Sequence, residues 1–280
     1  TALHSTFLGL LQNNTHFVPH RPPAHTTVWT PAIRFELDCQ GSISSWTPAI
    51  RFELDCHISR MVGHNTARQA DPDARSLWHA CQHGFLDQLT LLLHGSVDVN
   101  KTTSTEDTAL LIATHYGHIE AVRVLLQHPQ LNVNYVSATA GTALHVASHR
   151  GNAAIVSLLL DHGARVDEVT QDGFSALMTA SQQGHEGVVS QLLQRHADVN
   201  CMNCSGFTAL HMAAHEGRTE VVARLLQQPE IESKIRNKQF GGMTPLQVAI
   251  AMQHEPVAEL LRSSSELPRS SSGAKLLRSS

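Results

Sequence analysis

Aromatic residues are scarce in this chain, at 5% of 280 positions, and charged residues make up only 16%. Scarce aromatics exclude a core of stacked rings and leave Leu, Val and Ala to fill the interior. Sparse charge with a formal net of -4 excludes a dense phosphate-neutralising surface, so nucleic acid is not an expected partner. No apolar run approaches the ~18–20 residues that a bilayer-spanning helix needs, so membrane insertion is not expected. The longest such run near the start, Phe7–Leu11, is too short for a secretory leader core and follows no basic segment. Five cysteines is an odd count, which does not suit a disulfide frame; it reads as reduced thiols in a cytoplasmic or nuclear protein.

Reaction signatures are also lacking. There is no nucleophile elbow, phosphate loop or carboxylate pair. Gly184–Gly187 (GHEG) and Phe240–Met243 (FGGM) are glycine-containing turns without the lysine or flanking strand of a phosphate cradle. The expectation is a non-enzyme with no cofactor and no metal.

What the chain does contain is repetition. WTPAIRFELDC occurs twice, at Trp29–Cys39 and Trp46–Cys56, an offset of 17 residues. The copies are identical while the spacer between them differs, which suggests a recent duplication rather than a structural unit. IRFEL alternates apolar and polar residues, so each copy could form a short strand and the two a hairpin. The first methionine is Met61, and residues 1–66 are expected to be a poorly ordered leader outside the functional fold.

A second repeat governs the rest. Leu77, Leu110, Leu144, Leu177, Leu210 and Leu246 are equivalent, at spacings of 33, 34, 33, 33 and 36. Ala80, Ala113, Ala147, Ala180, Ala213 and Ala249 follow them by three, on the same helical face. A glycine comes four residues later at Gly84, Gly117, Gly151, Gly184 and Gly217, suited to a left-handed helix end. Then Val122, Leu125 and Leu126 recur as Val156, Leu159 and Leu160, as Val189, Leu192 and Leu193, and as Val222, Leu225 and Leu226. The spacing i, i+3, i+4 puts them on one face of a second helix. Each unit is helix, turn, helix, loop. One such pair cannot bury its apolar face alone and must stack on its neighbours.

These motifs, above all TALHVASHRG and TALHMAAHEG, resemble the ankyrin repeat, in about six copies. The resemblance implies an all-α solenoid of stacked helix-turn-helix units with hairpin loops. It sets the domains at 67–262 for the repeats and 263–280 for a Ser-rich disordered tail. Thr108, Thr142, Ser175, Thr208 and Thr244 supply the helix-capping oxygen. Extra residues are expected near Pro129 and around Glu230–Phe240, the latter as a bulged hairpin.

The resemblance also implies a function, that of a scaffold or adaptor holding a partner protein or peptide on a concave surface of hairpin tips and first helices. The alternative is a substrate-recruiting or regulatory piece of a larger ligase or kinase assembly. Residues just before each glycine are expected to face the partner: His115 and Tyr116, His149 and Arg150, Gln182 and Gln183, His215 and Glu216. So are those before each capping residue: Asp107, Gly141, Phe174, Phe207 and Met243. Phe174, Phe207 and Met243 form an expected apolar ridge, set against the plainer reading that each packs on the next hairpin. His145, His211, His118, His185 and His254 are expected to be structural. His115, His149 and His215 share one repeat position, with Gln182 filling the gap; His115 and His149, in adjacent repeats, would stand about 10 Å apart, too far for one zinc. Cys201 and Cys204 have C-x-x-C spacing but no second pair, and read as two exposed thiols. Asn100 and Asn200 stand eight residues after Leu92 and Leu192, the layout read by an asparaginyl hydroxylase that acts on this family, and are expected modification sites.

Overall fold

The computed structural model describes residues 72–238 and 241–266. The duplicated segment with its expected hairpin, the expected leader, and all but the first residues of the expected tail lie outside that range.

Among the described residues there are twelve helices and no strand. In chain order they are α1 (Pro72–His83), α2 (Leu86–Leu93), α3 (Ala109–Tyr116), α4 (Ile119–Leu126), α5 (Ala143–Arg150), α6 (Ala153–Asp161), α7 (Ala176–Gln183), α8 (Glu186–Gln194), α9 (Ala209–His215), α10 (Thr219–Leu226), α11 (Pro245–Ala251) and α12 (Glu255–Glu266). The odd-numbered helices pack on one another in sequence, α1 to α3 to α5 to α7 to α9 to α11. The even-numbered helices do the same from α2 to α12, and each odd helix packs on its own even partner. Six helix pairs therefore stand in single file, an all-α repeat solenoid. The final helix reaches Glu266, four residues past the expected end of the repeat domain.

Local chemistry sets these short helices. The side-chain oxygens of Thr108, Ser175, Thr208 and Thr244 accept from the backbone N–H three residues on, satisfying a donor that the first turn leaves open. The other end needs a left-handed residue. Gly151 takes φ +70°, and a Cβ built there would lie 2.6 Å from the His185 ring of the next unit. Glycine is thus required both by backbone conformation and by the close approach of the neighbour.

The core runs along the stack without a break. Leu77, Leu110, Leu144, Leu177 and Leu210 are buried on the inner helices, as are the five alanines that follow them. Val122, Val156, Val189 and Val222 are fully buried on the outer helices. Each fully buried Leu or Val contributes roughly 1.5–3 kcal/mol, and only a neighbouring unit can supply that burial.

The irregular spacings have a structural cause. The turn before each of these inner helices is closed by an equivalent backbone bond: Thr103 N to Asp107 O, Ser137 N to Gly141 O, Thr170 N to Phe174 O and Asn203 N to Phe207 O, at 2.9–3.0 Å. In the sixth unit the bond runs from Asn237 N to Met243 O at 3.0 Å, so this turn holds two extra residues. A further single insertion falls beside Pro229, matching the one beside Pro129.

Candidate functional site

Two histidine systems hold the units in register. At the start of α5 and α9, Thr142 N and Thr208 N each donate to a ring Nδ1, that of His145 and His211, at 3.2 Å. That fixes Nε2 as the protonated nitrogen. It donates forward to the next unit, His145 to Phe174 O at 2.9 Å and His211 to Met243 O at 3.1 Å. Burial pushes both imidazoles down to about 4, so they are neutral.

The second system reaches backward. Nε2 of His118, His185 and His254 meets Gln82 O, His149 O and His215 O, each at 3.0 Å. Arg218 takes the same place in the fifth unit and donates from Nε to Gln182 O at 3.1 Å. The structural role expected of these five histidines is thus a set of bonds across unit boundaries.

The hairpins are joined similarly. Asn100 donates from Nδ2 to Gln130 O at 2.7 Å and accepts on Oδ1 from Asn132 N at 2.8 Å. Asn134 repeats this with Gly163 and Arg165, and Asn200 with Glu230 and Glu232. The side chains of Asn100 and Asn200, the expected modification sites, are both engaged with the following hairpin.

The residues expected to face a partner divide into two sets. Those directly before the glycine are open: Arg150 is exposed, and Tyr116, Gln183 and Glu216 are half-buried. Those one position earlier are not. His115, Gln182 and His215 are 5%, 3% and 6% exposed, and only His149 of that row is half-buried. The backbone carbonyls of His149, Gln182 and His215 also receive the backward bonds from the next unit. The row forms a floor, and the residues beside it form the presented edge. Arg150 Nη2 lies 2.7 Å from His115 Nε2. Burial, then the charges of Arg150 and His149, lower His115 to about 4. His215 Nδ1 contacts Glu216 Oε1 at 3.1 Å. Gln182 Oε1 and His215 Nε2 have no hydrogen-bond partner among the described residues, although buried polar atoms usually have one.

The expected apolar ridge needs correction. Phe207 is 5% exposed, its ring set edge-on against His211 with centroids 5.7 Å apart. Phe174 and Met243 are half-buried. Of the other members of that row, Asp107 and Gly141 are buried. Burial pushes the Asp107 carboxyl above its ordinary range, and Thr105 donates to it at 2.6 Å. Phe207 therefore stands on no exposed ridge: its ring lies against His211 of its own inner helix.

A different apolar row is exposed instead. Val136, Val169 and Met202 are 37%, 38% and 46% exposed. Each directly precedes the residue that closes its turn, Ser137, Thr170 or Asn203, so the three share one register. Sequence reading passed over them because they lie in the loops, outside the helical motif. Aligning the residue before each turn at the repeat spacing would have found the row. The hairpin after Met202 is bonded tip to tip to the ones before and after it, Cys204 N to Asp172 O at 3.0 Å and Lys238 N to Ser205 O at 2.9 Å.

Of the C-x-x-C pair, Cys204 is exposed, while Cys201 is only partly so and its thiol is pushed up, first by burial. Among the described residues no group of three His, Cys, Asp or Glu side chains could hold a metal ion, and no helix is long and apolar enough to cross a membrane.

No curated protein matches the chain. The family described as "Ankyrin repeats (3 copies)" matches it at residues 60–137, 77–170, 129–203 and 177–268. With matches overlapping along most of its length, and helix pairs in single file beneath them, the chain belongs to the ankyrin-repeat family.

Proposed function

We propose that the inner-helix and hairpin side of the stack holds a partner protein or peptide, and that the chain serves as a scaffold or adaptor. Ankyrin repeats are generally protein-interaction modules. One observation carries the assignment of the surface. The structural positions repeat the same residues from unit to unit, whereas the position before the glycine reads Tyr116, Arg150, Gln183, Glu216 in four successive units, exposed at Arg150 and half-buried at the other three. A site that varies while its frame stays constant is where a stack of copies carries specificity. The edge offers a phenol, a cation, an amide and a carboxylate above a polar floor, which suits the polar rim of a protein interface.

A photo-cross-linking amino acid at position 150 or 183 tests this, with positions 120 and 194 on the outer helices as controls. Adducts with a protein are expected from the first pair and not the second. Equal adduct formation from the outer helices would remove the assignment.

A further inference from the structure

Val136, Val169 and Met202 occupy one register of three successive hairpins, each more than a third exposed, and the same register in the next hairpin holds Arg236. Arg236 is exposed and uses Nη1 for a bond to Gly242 O at 3.1 Å. Lys234 and Lys238, two residues to either side, are also exposed, and among the described residues no ion pair joins any of the three to a carboxylate. The row therefore reads apolar, apolar, apolar, cationic, at one step per unit.

That step is set by helix packing at about 8–10 Å. A polyproline II segment has three residues per turn and rises about 3.1 Å per residue, so side chains at i, i+3 and i+6 return to one face about every 9 Å. An α-helix, rising about 1.5 Å per residue, would present its apolar side as a broad stripe. This row is single-file, one residue per hairpin. We infer that the row takes a peptide segment in polyproline II conformation, with apolar side chains at every third position against Val136, Val169 and Met202 and a carboxylate one further step along, against Arg236. The inference rests on the proposed partner-binding side and specifies the class of partner for it.

The test is selection of random twelve-residue peptides on the full 280-residue chain, followed by affinity measurement on synthetic copies. Enriched peptides should carry three apolar residues at intervals of three with Asp or Glu at the next interval, in either chain direction. Val169→Thr and Met202→Gln, which keep size and are set on the surface, should each weaken binding about tenfold. Arg236→Glu should do the same, and a peptide with Lys in place of its acid should recover affinity for that variant. Circular dichroism and melting of each variant should match the parent. Peptides that ignore all three substitutions but are lost on Arg150→Ala would overturn this inference and leave the partner-binding side intact. Enrichment of no peptide, or of peptides without the three-residue interval, would overturn it as well. Cross-links from position 150 in that case would still speak for the broader reading.

Discussion

The third and sixth inner helices, α5 and α11, are built on one motif and live in different surroundings. Every residue of α5 from Ala143 to Ser148 is buried, because α3 and α7 flank it. In α11 only Pro245, Val248 and Ala249 are buried; Leu246 is half-buried and Ile250 is 48% exposed. Ile250 stands where Thr114, Ser148, Ser181 and Ala214 are fully buried under the next inner helix. The motif sets the helix, and the neighbour on each side sets how much stability the motif returns. A unit that, among the described residues, is packed by its predecessor alone tolerates residues that an interior unit cannot.

The largest effects should come from cutting large side chains in interior units. Phe207→Ala is expected to cost about 3–5 kcal/mol, and Met243→Ala at the equivalent place in the last unit about 1–2. Leu144→Ala should cost about 2–5 kcal/mol, and Leu246→Ala clearly less, because the half-buried site leaves a smaller cavity. Urea denaturation of the four variants measures the contrast. Equal losses within each pair would mean that the last unit is as fully packed as the interior ones.

How far the fold was legible follows from the same distinction. Leu144, Ala147, Gly151 and Val156 could be placed from spacing alone, because the chemistry that fixes them is local to one helix pair and recurs five times. His145 and His185 could be called structural, although the carbonyls they reach are set by packing between units. The partner-facing residues were only half legible. Sequence gave Arg150 and His149 the same standing as a pair; stacking of the units leaves Arg150 exposed and His149 half-buried, with His115, Gln182 and His215 of the same row buried. Phe207 looked spare because Leu and Ala already filled the helix faces, yet the turn folds it inward. Val136, Val169 and Met202 went unnoticed because loop residues show no helical period, and their common register depends on turns closed by non-local geometry.

The next contrast is in pH dependence. His145 and Gln247 do the same capping job: Thr142 N donates to His145 Nδ1 at 3.2 Å, and Thr244 N to Gln247 Oε1 at 2.9 Å. Only the histidine titrates. Its folded value of about 4 lies below the ordinary 6.5, so the unfolded chain binds more protons between those limits. Its contribution is complete above pH 6.5 and is lost as pH falls toward 4. His211 behaves alike. Going from neutral pH to about pH 5 should cost about 2 kcal/mol for each. His145→Gln should remove one share of that slope, while Gln247→His in the more open last unit should add less. An unchanged slope in His145→Gln would mean that other groups govern acid unfolding.

The smallest effect concerns the helix ends. Gln253 stands where five other units carry glycine, and it holds φ +61°, a conformation that costs a side chain about 1 kcal/mol. No imidazole follows it from a further unit among the described residues, so its Cβ meets no obstacle like the one at Gly151. Gln253→Gly should therefore raise stability by up to about 0.5 kcal/mol, since relief of the left-handed strain slightly exceeds the extra freedom of glycine in the unfolded chain. The reverse exchange in the interior, Gly151→Ala, carries the same backbone strain and also drives a methyl into His185, so it should cost more than Gln253→Gly gains. Paired melting curves decide it. If Gly151→Ala loses no more than the left-handed penalty, the close approach of His185 is soft, and glycine recurs in this repeat for its backbone alone.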